Sequence, residues 1–147
     1  MDDAFKYAMD KGMCTEKENP YTATNGTCNN CSPVVSVAHC VDVTPNNQLH
    51  LKEAVARGPV SVAIEADTSV FQMYSGGVVT SDKCGQELDH GVLVVGYGEE
   101  NGVLYWLVKN SWGEQWGVGG YVKIERTENT DDPGICGIAM QPSYPVC

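Results

Sequence analysis

Apolar and polar residues alternate at period two over most of the chain beyond residue 59, the pattern of half-buried strands. Residues 60–66, 77–80, 91–97, 103–109 and 119–126 each read as a strand. Gly98, Asn101-Gly102 and the glycines between 113 and 120 mark the corners. The first sixty residues read differently. Asp2 or Asp3 is placed to cap a helix running to Lys11, with Ala4, Phe5, Ala8 and Met9 on one face and Gly12 as its stop. Residues 14–33 are turn-rich, holding Pro20, Gly26, Asn29, Asn30 and Pro33. Residues 34–43 alternate well enough for a strand. Residues 47–57 place Leu49, Leu51, Ala54 and Val55 at loosely helical spacing and end at Gly58-Pro59. No internal repeat, low-complexity segment or linker interrupts this order. The expectation is an α+β chain: a helix or two, then an antiparallel sheet or barrel with glycine-rich corners.

Length and composition narrow the class of protein. A chain of 147 residues, 42% apolar, can bury one compact core. The longest apolar run, about six residues at 91–96, is far short of the ~20 residues of a membrane span. A net charge of -10, with nine basic residues and no Lys/Arg cluster, argues against a nucleic-acid partner. Seven cysteines are many for a cytosolic protein and ordinary for an oxidising compartment. Asn25-Gly26-Thr27 is an N-glycosylation acceptor triplet, which agrees with a secretory route. The opening residues Met1-Asp2-Asp3-Ala4-Phe5 lack the basic segment and apolar core of a signal peptide. Cysteine usage and chain start thus disagree, and residue 1 is expected to be internal to a longer protein.

The chemistry concentrates between Leu88 and Trp112. His90 heads one apolar strand, and Asn110 follows another. Histidine titrates near neutrality and serves as a general base if its ring is held in one tautomer. An amide oxygen holds it by accepting a hydrogen bond from one ring N–H. Asn110 is placed to do so if residues 91–97 and 103–109 form a hairpin. Trp112 would then cover the bond and keep water from it. Taken alone, His90 and Asn110 read as a strand-edge histidine and a turn residue. Their surroundings change that reading.

Asp89-His90-Gly91-Val92, Gly96-Tyr97-Gly98, Tyr105-Trp106, Lys109-Asn110-Ser111-Trp112-Gly113, Trp116-Gly117 and Gly119-Gly120-Tyr121 occur in an order that resembles the papain-like cysteine proteases of the cathepsin L-like kind. Asn19-Pro20-Tyr21, residues 58–63, residues 74–78, Cys136-Gly137-Ile138-Ala139 and Ser143-Tyr144-Pro145 extend the similarity nearly end to end. The resemblance implies a papain fold. Residues 1–33 would be the remnant of a helical left-hand domain and its crossover loop. Residues 34–147 would be the β-barrel-like antiparallel right-hand domain. It implies peptide-bond hydrolysis through a thiolate and an acyl-enzyme, with a peptide or protein substrate. His90 would be base and acid, Asn110 its orienting residue and Trp112 the shield. Met1, Ala63, Leu88, Asp89 and Gln141 would line the substrate pocket, Gln141 bringing a polar amide to its floor. Cys84 and Cys136 would pair. No cofactor or metal is implied, nor a membrane partner. The location implied is a lysosome or vacuole, or secretion.

The nucleophile is the missing part. The family spacing puts His and Asn about 130–150 residues after the cysteine, which falls roughly 40 residues before Met1 whichever of the two is used. The glutamine that completes the family's oxyanion hole is also absent, so the helical left-hand domain is expected as a missing partner. Cys28 matches half of a family disulfide whose other half lies in that part. Cys14, Cys31, Cys40 and Cys147 have no family counterpart, and the pairing of Cys14 with Cys31 stays open. None of the seven precedes a helix in the way that lowers a thiol pKa. Cys28-x-x-Cys31 before His39-Cys40 has a gap too short for a zinc finger, and His39 and His50 read as strand and helix-surface residues. Three functions follow: part of a cysteine endopeptidase, a non-catalytic chain that binds a partner through the old cleft, or a truncated gene product. Retention of His90, Asn110 and Trp112 together favours the first, and the chain alone is expected to be inactive.

Overall fold

The computed structural model describes residues 1–80 and 82–147. They form two units, Met1–Val41 with Pro145–Cys147, and Asp42–Tyr144.

In the first unit, helix α1 spans Asp2–Lys11. Its cap is Met1, whose carbonyl takes the N–H groups of Ala4 and Phe5, and no side chain caps it. Asp2 and Asp3, expected as caps, instead lie in the first turn, where their charge suits the helix dipole. The helix stops at Gly12 with φ 70°, as expected. A side chain at Gly12 would meet Pro33 Cβ at 2.5 Å, so this turn needs a glycine for space as well as for φ. Of the four apolar residues assigned to one face, only Ala8 is buried. A disulfide joins Cys14 to Cys31 and closes the turn-rich loop. The expected strand at 34–43 shrinks to β1, His39–Asp42. The reason is local: the N–H groups of Val34 and Val35 and the carbonyl of Val35 bond Met13 and are lost to any longer ladder. His39 is an exposed strand residue.

The second unit holds helix α2 at Gln48–Val55, capped by Asn47, whose side chain accepts the His50 N–H at 2.9 Å. His50 sits on its exposed surface. Strands β2 (Val60–Ile64), β3 (Val78–Val79), β4 (His90–Glu100), β5 (Val103–Lys109) and β6 (Tyr121–Glu125) follow. Strand β7, Ser143–Val146, begins in this unit and is not foreshadowed by alternation, since Pro145 interrupts it. From β7 onward the strand order is β7-β2-β4-β5-β6-β3. All pairs with stated register are antiparallel, as expected, except β3 with β6, which is parallel. A short helix, α3 at Ser69–Gln72, was also not expected. Four residues cannot show a helical period.

The core follows from the alternation. Val60, Val62 and Ile64 face Val94, Val92 and His90 across β2–β4, and Trp106 and Val108 face Ile124 and Val122 across β5–β6. Leu51 and Val55 of α2 and Phe71 of α3 complete it. The β4–β5 hairpin closes on Asn101 and Gly102, with φ 52° and 81°. This is the turn geometry whose twist matches the strands, and Asn-Gly is the pair that tolerates it. The disulfide Cys84–Cys136 ties together two short 3₁₀ turns, Asp82–Cys84 and Ile135–Gly137.

Candidate active site

The hairpin brings His90 and Asn110 together. His90 opens β4, paired with Ile64 of β2, and Asn110 directly follows β5. The Asn110 backbone N–H bonds Gly120 O at 3.0 Å, which fixes the chain as it leaves the strand. His90 Nε2 lies 2.8 Å from Asn110 Oδ1. The orientation of the amide is settled by a third group. Ser111 N–H, which can only donate, lies 2.8 Å from the same atom, so that atom is the oxygen. An amide oxygen only accepts, hence His90 carries its proton on Nε2 and donates. In the neutral ring, Nδ1 is then the unprotonated nitrogen. Asn110 is 8% exposed, and its Nδ2 has no partner among the described residues.

An aromatic cluster surrounds the imidazole. The Trp112 ring lies 5.1 Å from that of His90, tilted by 30°. Phe71, fully buried, meets Trp112 edge-on at 5.4 Å and His90 at 6.4 Å. Trp116 packs on Phe71 at 4.9 Å and on Trp112 at 5.3 Å, and its Nε1–H donates to Gln72 O at 3.2 Å. Trp112 is 42% exposed, so it screens one side of the pair and leaves another open. Trp116 enters the sequence reading only as part of the Trp116-Gly117 motif, and Phe71 does not enter it at all. Thr68-Ser69, a polar pair ahead of Val70-Phe71, is the signal that could have revealed α3 and with it Phe71.

The pocket residues are less concentrated. Asp89 Oδ1 accepts the Ala66 N–H at 2.8 Å, and Asp89 N–H donates to Ile64 O at 3.0 Å. The residue before the histidine therefore clamps the end of β2. Ala63 pairs with Gly91, one residue on from His90, and so lies on the opposite face of the sheet. Leu88 is half-buried and shares the space over Gly137 with Met140, as a Cβ there would meet Leu88 Cδ2 at 2.8 Å and Met140 Sδ at 2.9 Å. Gln141 is exposed. Met1 belongs to the first unit, where it caps α1.

Behind the strands, a buried polar node holds the 127–134 loop. Gln48 Oε1 accepts Trp106 Nε1–H at 3.2 Å and Thr127 N–H at 2.9 Å, while Gln48 Nε2–H donates to Asp132 Oδ2 at 2.6 Å. Burial pushes the Asp132 carboxyl up, but hydrogen bonds from Thr127, Gly134 N–H, Gln48 and Asn129 outweigh it and hold its pKa below the usual value. Hydrogen bonds from Lys52 and Arg126 lower that of Glu128 nearby.

The thiols lie elsewhere. Cys84 and Cys136 are consumed in a disulfide, and the free cysteines Cys28, Cys40 and Cys147 all belong to the first unit. Among the described residues no group of His, Cys, Asp and Glu is arranged to hold a metal ion. No helix among them is long and apolar enough to cross a membrane.

The family model described as papain family cysteine protease matches residues 1–146. The thiol protease SEN102 of Hemerocallis sp. is 50% identical over 150 residues, which cover 99% of this chain and 41% of that protein. Cysteine proteinase EP-B 1 of Hordeum vulgare is 50% identical over 154 residues, with the same coverage. The chain thus spans about two-fifths of the length of these curated relatives. Among solved structures, the bromelain protease from Ananas comosus in complex with the E64 inhibitor superposes with a TM-score of 0.92 at 37% identity, covering 99% of this chain and 68% of that one. The Amb a 11 cysteine protease of ragweed pollen, in its proform, gives 0.93 at 38% identity, covering 99% of this chain and 46% of that one.

Proposed function

The chain belongs to the papain family of cysteine proteases, and on that premise we propose that it supplies the histidine–asparagine half of a cysteine endopeptidase site. The observation that carries the proposal is the 2.8 Å contact between His90 Nε2 and Asn110 Oδ1, with the amide oriented by Ser111 N–H. This contact parks one ring proton and leaves Nδ1 as the nitrogen that takes a proton from a thiol. The resulting thiolate attacks the scissile carbonyl and forms an acyl-enzyme. The imidazolium returns its proton to the leaving amine, and water then releases the acyl group. His90 is base and then acid, Asn110 fixes its tautomer, and Trp112 with Phe71 keeps water from the bond between them.

The nucleophile and the oxyanion-hole glutamine come from a helical domain encoded ahead of Met1. Two observations support this: no free cysteine lies in the unit that holds His90, and relatives are more than twice as long. Family membership supports Leu88, Asp89, Ala63 and Gln141 as substrate-pocket residues of the complete enzyme. The longer protein follows the secretory route to a vacuole or the cell exterior, in keeping with its two disulfides.

The test compares the 147-residue chain with the same chain extended in frame through the upstream coding sequence. The extended protein should hydrolyse a peptide amide, lose activity to a thiol alkylator and lose it again in His90→Ala. The 147-residue chain should do none of this. Alkylator-sensitive turnover by the shorter chain, or an upstream sequence without a Cys-Trp segment, would refute the proposal.

A further inference from the structure

The Asn25-Gly26-Thr27 triplet takes no part in the protease chemistry, and its setting suits a different one. Every residue from 21 to 30 is exposed, and the triplet lies in irregular chain between the cysteines of the Cys14–Cys31 disulfide. Ala23, at φ 55°, turns the chain just before it, with the hydroxyls of Thr22 and Thr24 3.1 Å apart. Among the described residues no hydrogen bond engages the Asn25 side chain, so its amide is free to react. We propose that Asn25 carries an N-linked glycan. The proposal rests on the secretory route given above, since the disulfide that bounds the loop and the glycan need the same oxidising compartment.

The reaction is a group transfer. The Asn25 amide nitrogen gives up a proton and bonds the anomeric carbon of a lipid-linked oligosaccharide diphosphate. The carbon–oxygen bond to the diphosphate breaks, and the lipid diphosphate leaves with the electron pair.

A second triplet, Asn30-Cys31-Ser32, competes on sequence alone. Its middle residue is half-buried in the disulfide, and Pro33 follows it, packed against Gly12. Ser32, the residue before Pro33, is biased toward extended conformations, which disfavours this triplet as an acceptor. The structure therefore assigns the glycan to Asn25 alone.

The full chain, fused to a cleavable secretory signal and expressed in mammalian cells, tests this. Peptide N-glycosidase F should collapse it to the mass of the bare polypeptide and convert Asn25 to aspartate in the peptide map. Asn25→Gln and Thr27→Ala should each abolish the mass shift, and Thr27→Ser should keep it. An unshifted chain with Cys14 and Cys31 paired overturns the glycan and leaves the secretory reading standing. An unshifted chain with both thiols free overturns both. Occupancy of Asn30 in place of Asn25 also refutes the assignment.

Discussion

Asn110 does its work with one atom. Its Oδ1 accepts from both His90 and Ser111, so replacing it with alanine removes the group that holds the imidazole and leaves the ring free to rotate. In the complete enzyme, Asn110→Ala should lower kcat by about 10²-fold, toward the low end of what positioned acid–base catalysis contributes, with KM nearly unchanged. Steady-state kinetics on a peptide amide decide it, and an unaltered kcat would remove Asn110 from the mechanism. Gln141 offers a second measurement at this scale. Its exposed amide should let the pocket tolerate polar side chains, so Gln141→Ala should shift preference toward Leu or Phe by about 10-fold in kcat/KM. Equal preference in the two proteins would mean Gln141 does not reach the substrate. His90, Asn110 and Trp112 were legible in the sequence because the motifs around them, Asp89-His90-Gly91-Val92 and Lys109-Asn110-Ser111-Trp112-Gly113, resemble those of a known family. Phe71 was not, because it reaches the imidazole from α3, nineteen residues upstream of the histidine and on no recognisable period.

At the level of elements, the node at Gln48 joins α2, β5 and the 127–134 loop through three hydrogen bonds. Gln48 is fully buried, so Gln48→Leu would leave the buried Trp106 Nε1–H and the Asp132 carboxylate short of partners. About 1–3 kcal/mol is expected for each buried group left unsatisfied, read as a lower urea midpoint at unchanged slope. Asp132 adds a pH signature. Its folded-state pKa lies below its unfolded one, so its contribution to stability is fully present above the unfolded value of about 3.9 and is lost as pH falls through the folded value. Midpoints measured from pH 6 downward should therefore fall more steeply for the natural protein than for Asp132→Asn. Parallel curves would show that the carboxylate is not stabilised by folding. None of this was legible in sequence. Gln48 and Asp132 are 84 positions apart, and no local pattern announces a buried amide. The β4–β5 hairpin was legible, because Asn101-Gly102 states its turn locally, whereas β1 came out shorter than its alternation because Met13 took its backbone partners.

For the molecule as a whole, both units expose apolar side chains, and the first unit carries a set of them. Tyr7, Met9, Met13, Val34 and Val35 are between 39% and 63% exposed there. Such surface promotes association. The isolated chain should elute at a concentration-dependent size on gel filtration, and the extended protein should not. A monodisperse chain at all concentrations would contradict the proposal that a helical domain covers this surface. The Cys84–Cys136 disulfide closes a loop with a sequence separation of 52, for which chain entropy gives about 4 kcal/mol. Replacing both cysteines by alanine should lower the thermal midpoint accordingly.

The sequence by itself determined the strand alternation, the hairpin and the family, because each is written in residues close together or in a fixed order. It also brought His90 and Asn110 close through the Asn101-Gly102 hairpin, but the register shift between Val94 and Gly96 was left to the tertiary structure. The tertiary structure alone decided which nitrogen of His90 stays free, which aromatic rings enclose it, how Cys14 and Cys31 pair, and which amide ties the 127–134 loop to the sheet. Those contacts join residues far apart in the chain, and their geometry is set by packing rather than by any local preference.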